Sequence, residues 1–65
     1  MKIELLCGGG YLVLRGVYFP ITVEAVDFGR RYIVAGSELK NYVSPDRHEY
    51  LLGAYTFLDT EVREV

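Results

Sequence analysis

The stretch Ile21–Leu39, ITVEAVDFGRRYIVAGSEL, sets the terms for the whole chain. Two β-rich runs, Ile21–Val26 and Arg31–Ala35, face each other across Asp27-Phe28-Gly29. In the first run Ile21, Val23 and Ala25 recur at every second position, the period of a strand with one buried face. The triplet has the chemistry of a three-residue hairpin loop: two right-handed residues, then a glycine at positive φ. A two-residue loop, Phe28-Gly29, competes, but it more readily places the bulky Phe28 at positive φ. The preferred register therefore sets Val26 opposite Arg30, Val23 opposite Ile33 and Ile21 opposite Ala35. The same triplet spells the metal-binding signature of protein kinases. On a hairpin in a chain this short, turn chemistry is the sufficient reading.

The flanks extend the β pattern. Lys2–Leu6 alternates, with Ile3 and Leu5 on one face, and Cys7-Gly8-Gly9-Gly10 breaks it. Tyr11–Arg15 is a second apolar run, so the pair predicts a first hairpin across the glycines. Gly16 marks a bend or bulge before Val17–Phe19, and Pro20, which cannot donate to a ladder, belongs at a strand start or sheet corner. After Ala35, Gly36–Asn41 has room for one helical turn, with Ser37 as its N-cap and Asn41 as its stop. Tyr42-Val43 reads as extended. Ser44-Pro45-Asp46 is open two ways: it caps a short helix that Gly53 ends, or it is a turn before a last strand. The preferred reading is the turn, followed by a strand through Tyr50–Leu58 with Gly53 as a bulge. Residues 1–58 then form one domain, and the charged end 59–65 frays. The fold class expected is all-β with one short helix or 3₁₀ turn. Five short strands with glycine and proline corners predict a small, partly open barrel of the SH3-like or OB-like kind.

Composition enters through the size of the core. A domain of 65 residues buries only about 60% of its unfolded surface. The single cysteine excludes an internal disulfide, yet the chain is 51% apolar, with six tyrosines and three phenylalanines. That is more apolar material than so thin a core hides, and it predicts self-association or a protein partner. The formal net charge is −2, from seven basic and nine acidic residues scattered without a polybasic arm, which disfavours nucleic acid. The longest uncharged stretch, Leu5–Leu14, is too short to span a bilayer, so no membrane partner is expected. Met-Lys-Ile-Glu lacks a signal-peptide layout and a lone cysteine suits a reducing compartment, so the reading is a soluble cytoplasmic protein.

The candidate sites are few. A phosphate loop needs a lysine followed by serine or threonine after its glycines. Here Tyr-Leu-Val follows, so Gly8, Gly9 and Gly10 read first as a hairpin connection and second as a ligand-cradling loop. Cys7 reads as a small buried hydrophobe at a strand end. His48 with Asp46, Glu49 and Cys7 gives too few well-spaced donors for a metal. Arg30 and Arg31, followed by Tyr32, are the sharpest basic feature. Together with Phe28, Tyr18 and Tyr42 they could stack on bases, but arginine and tyrosine are also the residues of protein-binding hot spots. With acids scattered singly, neither an enzyme nor a cofactor is expected. The function expected is a non-enzymatic, self-associating module that binds a protein target, of the regulator or inhibitor type that phages and mobile elements carry. Two alternatives stand beside it. One is a nucleic-acid-binding barrel that uses Arg30, Arg31 and the tyrosines. The other is an oligomer holding a small ligand or nucleotide between subunits, near the glycines.

Overall fold

A computed structural model describes all 65 residues. It is mostly β, with two antiparallel three-stranded sheets and short helical segments between them. The strands are β1 (Lys2–Leu5), β2 (Ile21–Glu24), β3 (Val26–Asp27), β4 (Arg31–Ala35), β5 (Ala54–Leu58) and β6 (Val62–Glu64). One sheet has the order β2-β1-β6 and the other β3-β4-β5. One helical turn, α1 (Gly36–Leu39), follows β4, and 3₁₀ segments cover Leu12–Leu14, Pro45–Tyr50 and Asp59–Glu61. No helix is long and apolar enough to cross a membrane.

The period-two patterns of β1 and β2 hold. Ile3, Leu5, Ile21, Val23 and Ala25 are all buried, and the two strands pair with Ile3 opposite Val23 and Leu5 opposite Ile21. The rest of the core comes from Leu14, Tyr32, Val34, Leu39, Val43, Leu51, Phe57 and Val62.

The central hairpin differs from its expected register. Ile21–Val26 does not pair with Arg31–Ala35 along its length, because the run bends at Ala25. That residue still bonds across to β1, its N–H reaching the Met1 carbonyl at 2.8 Å, so only Val26-Asp27 is left to join β4. Val26 consequently faces Ile33, and Asp27 faces Tyr32. Phe28 donates to the Arg31 carbonyl at 2.8 Å, which leaves Gly29-Arg30 as a two-residue loop. Gly29 takes the positive φ, +78°, and its N–H is held by Asp27 Oδ1 at 2.8 Å. Glycine at the first central position is what a type II′ turn requires. The slip is an odd number of residues, so it exchanges the faces of β4. Tyr32 and Val34 point into the core, where Ile33 and Ala35 were expected.

The other departures share a cause: which strands become neighbours is decided by tertiary packing. Tyr11–Arg15 is not a strand paired with β1, whose two sides are taken by β2 and β6. It winds into a 3₁₀ turn that sends Leu14 inward and leaves Leu12 outside. Val17–Phe19 is not a strand either, although Pro20 does stand at the start of one. The single helical turn begins at Gly36, with Ala35 rather than Ser37 in the N-cap position, and ends at Leu39. Tyr42 lies in a turn, not an extended segment, its N–H on the Leu39 carbonyl at 3.0 Å. Pro45–Tyr50 is helical, with Ser44 in the N-cap position, so the last expected strand begins at Ala54 and Gly53 turns the chain ahead of it. Instead of fraying, 62–64 forms β6 against β1 and brings the strand count to six rather than five.

Side chains finish the sheet edges. The Tyr11 hydroxyl accepts from Thr56 N–H and donates to Thr56 C=O, each at 3.0 Å, along the outer side of β5. Glu61 Oε1 takes Leu58 N–H on the same edge at 2.9 Å. On β2, Glu38 Oε1 accepts from Glu24 N–H at 3.0 Å, and the Tyr42 hydroxyl donates to Thr22 C=O at 2.9 Å. Each bond satisfies a backbone group that the ladder leaves over.

Candidate binding surface

The residues singled out in the sequence do not form one site. Phe28, Arg30 and Arg31 project from the β3–β4 tip, all exposed, and neither arginine is in an ion pair. Tyr32 leaves that group because it lies on the opposite face of β4. It is 7% exposed and its hydroxyl donates to Glu64 Oε1 at 3.2 Å. Tyr18 is the most exposed aromatic of the chain, at 93%. Tyr42 is half-exposed, with its hydroxyl committed to β2.

Tyr32 supplies a pH prediction. Burial, then the bond to Glu64, then the nearby carboxylates of Glu64, Asp27 and Asp59 push its phenol above the ordinary value of 10.0. An unfolded chain loses this proton first as pH rises, so the contribution is complete below the unfolded value and is lost as pH climbs through the folded one. Urea midpoints measured on either side of about pH 10 should fall at the alkaline end. In Tyr32→Phe the alkaline loss should be smaller; an equal loss in both proteins would remove Tyr32 as its source.

Of the three glycines, Gly9 has a packing reason and Gly10 only a conformational one. A Cβ on Gly9 would stand 3.1 Å from two atoms of the Phe57 ring, and one on Gly8 would stand 3.4 Å from Leu14 Cβ. Gly9 and Gly10 also turn at positive φ, +60° and +82°. These are the demands of a tight bend laid over the core. Cys7 beside them is exposed rather than buried, and its polar neighbour is the Glu61 carboxylate, 4.0 Å away. His48 Nε2 is bonded to the Val43 carbonyl at 2.8 Å. No three His, Cys, Asp or Glu side chains converge as a metal set.

What the sequence reading missed is a concave apolar patch built by two of the 3₁₀ segments. Leu12 and Val13 form one wall, Tyr50 and the stem of Arg47 the other, around a groove of about 350 Å³. Leu12 is 81% exposed here, a large aliphatic side chain facing water beside an exposed tyrosine ring. Arg47 also lines a second, more polar cleft of about 110 Å³ with Arg15, Tyr42 and Ser44. Its Nη1 donates to the Arg15 carbonyl, which fixes the guanidinium between the two concavities.

The chain matches no known protein family, curated protein or solved structure. The patch could have been glimpsed in the sequence: Tyr11–Arg15 lacks alternation, and a 3₁₀ turn through it must leave some of its apolar side chains outside.

Proposed function

We propose that this chain is a non-enzymatic protein-binding module that also associates with itself. The observation that carries this reading is the Leu12–Val13–Tyr50 groove, a ready-made seat for an apolar side chain of a partner. Its setting supports it. Eleven large apolar residues remain exposed, among them Leu52, Phe28 and Val26, more than scattered surface exposure needs. The strand order favours an SH3-like framework over an OB-like one. β2 and β3 act as one run bent at Ala25, β4 and β5 continue the meander, and a 3₁₀ turn leads into a last strand beside the first. That framework carries many functions, so it supports the reading only as a scaffold.

The test places a photo-crosslinking amino acid at position 12 and, separately, at position 28. Crosslinks to protein from position 12, lost with Tyr50→Ser, are the expected result. Both side chains are exposed, so thermal unfolding of Leu12→Ser and Tyr50→Ser should be nearly unchanged, while partner affinity falls by about 30-fold if either is a hot spot. Crosslinks from position 28 alone would overturn the assignment.

A second reading is favoured by the bare Phe28-Arg30-Arg31 tip, an aromatic with two unpaired cations. It is nucleic-acid binding, and it requires affinity that falls steeply with salt and with Arg30→Ala and Arg31→Ala. The net charge of −2 weighs against it.

A further inference from the structure

We propose that the cleft between Arg15 and Arg47 takes a carboxylate, so that the partner segment is a peptide with an acidic residue beside a bulky apolar one. The inference rests on the protein-binding reading of the groove and adds the chemistry of what binds there.

Three observations carry it. The first is an unmatched charge. Nine acidic residues are present, yet the ion pairs go elsewhere: Arg63 to Glu4, and the N-terminal ammonium to Glu24. Arg15 and Arg47 have none, and no acidic side chain lines the cleft they share. Both arginines line this one small concavity, so two like charges repel beside it and raise the local positive potential, on a chain whose net charge is negative. A bound carboxylate relieves both effects.

The second is preorganisation. Arg47 is half-buried and tethered through Nη1 to the Arg15 carbonyl. One of five guanidinium donors is engaged, and the others remain for a ligand at small cost in side-chain freedom. The Ser44 hydroxyl caps nothing in its own segment and adds a neutral donor to the wall.

The third is size and continuity. The cleft, about 110 Å³, is the smaller and more polar of the two concavities and suits one charged group beside the roomier apolar groove. Arg47 is a wall of both this cleft and the apolar groove. Adjacent residues of one peptide can therefore fill the two at once, the aliphatic chain against Leu12 and Tyr50 and the carboxylate against the guanidiniums.

The experiment uses the full chain labelled with ¹⁵N and a terminally blocked peptide, a single leucine followed by a single glutamate in a serine–glycine background. A second peptide carries glutamine in place of the glutamate. Amide and arginine Nε–H resonances are followed during millimolar titrations. The glutamate peptide should move Leu12, Val13, Tyr50 and the Nε–H signals of Arg15 and Arg47. The glutamine peptide should bind about tenfold more weakly, the worth of a charge-assisted hydrogen bond. Arg15→Gln should erase that preference. It is the clean variant, because Arg47 is anchored by the Arg15 carbonyl and not by its side chain.

Equal binding of the two peptides at the groove would overturn the carboxylate site and leave the protein-binding reading standing. Shifts confined to the arginines, with Leu12 and Tyr50 unmoved, would overturn the coupled peptide and the groove with it. Tighter capture of inorganic phosphate than of the glutamate peptide would reassign the cleft to a phosphate group. Concentration-dependent shifts of the same residues without peptide, abolished by neither competitor, would give the surface to a second copy instead. Absence of any shift overturns both readings.

Discussion

Gly36→Ala is expected to leave the chain without a cooperative folded state. The reason is space. The backbone of Gly36 does not need positive φ, but a Cβ there would stand 2.3 Å from the Leu51 carbonyl oxygen and 2.9 Å from its carbon. Neither atom belongs to a side chain that can swing aside. Gly36 cannot retreat either, because its N–H bonds the Gly53 carbonyl at 2.8 Å, extending the β4–β5 ladder into the start of α1. Overpacking costs about 1–3 kcal/mol and more where the neighbours are rigid, and the lost backbone bond adds about 1 kcal/mol. A core in a chain this small rarely supplies more than about 3–5 kcal/mol in total. Loss of amide dispersion in a proton–nitrogen spectrum would record the outcome, and a folded variant melting within a few degrees of the parent would refute it. Gly10→Ala is the contrast. Its Cβ meets nothing within 4 Å, so only the positive φ is penalised, by about 1–2 kcal/mol.

Phe57→Ala should be as damaging by the opposite route. Phe57 is fully buried, and its ring meets the Tyr11 ring edge-on with centroids 5.6 Å apart. The Gly9 bend lies over the same ring, and across the ladder Phe57 stands opposite Tyr32. Truncating a buried phenylalanine costs about 3–5 kcal/mol, the whole margin of a domain this size. The damage should spread to the β5 edge, because the ring that positions the Tyr11 hydroxyl loses its support. Urea unfolding should show a midpoint near zero denaturant for Phe57→Ala, whereas Phe57→Leu, which keeps most of the volume, should retain a transition. A Phe57→Ala protein with a near-parental midpoint would mean that the ring is not the centre of the core.

Strands with one buried face were legible in the sequence. Period-two alternation placed Ile3, Leu5, Ile21, Val23 and Ala25 correctly, because local pattern and final environment agree there. Pro20 at a strand start and the single turn after Ala35 were legible for the same reason. Partnership was not. Ile21–Val26 reads as one strand, and nothing local says that β1 will claim most of it and leave two residues for β4. The odd slip that follows turned Tyr32 from surface platform into core, which removed the aromatic from the arginine pair. Ser44-Pro45 carried the right helix-start chemistry, outweighed in the reading by β-rich neighbours. The last residues looked like a tail because their charges alternate with only two valines, and it takes β1 to make Val62 a core residue. Only one wall of the groove had a local signal, the missing alternation of Tyr11–Arg15; its pairing with the other wall did not, because Leu12 and Tyr50 are 38 positions apart and meet only through two 3₁₀ segments.

The finishing of the sheet edges has a consequence in time. Tyr11, Glu38, Tyr42 and Glu61 all reach the strands from segments outside the sheets. Strand pairing can therefore run ahead of them, and until those segments dock, β2 and β5 offer bare ladder groups to any other chain. Exposed edges of that kind template intermolecular β-structure, the route by which apolar small proteins become fibrils. The danger lies in synthesis or refolding at high concentration rather than in the finished molecule. Yield on refolding should accordingly fall as protein concentration rises, whereas protein already folded stays in solution at the same concentration.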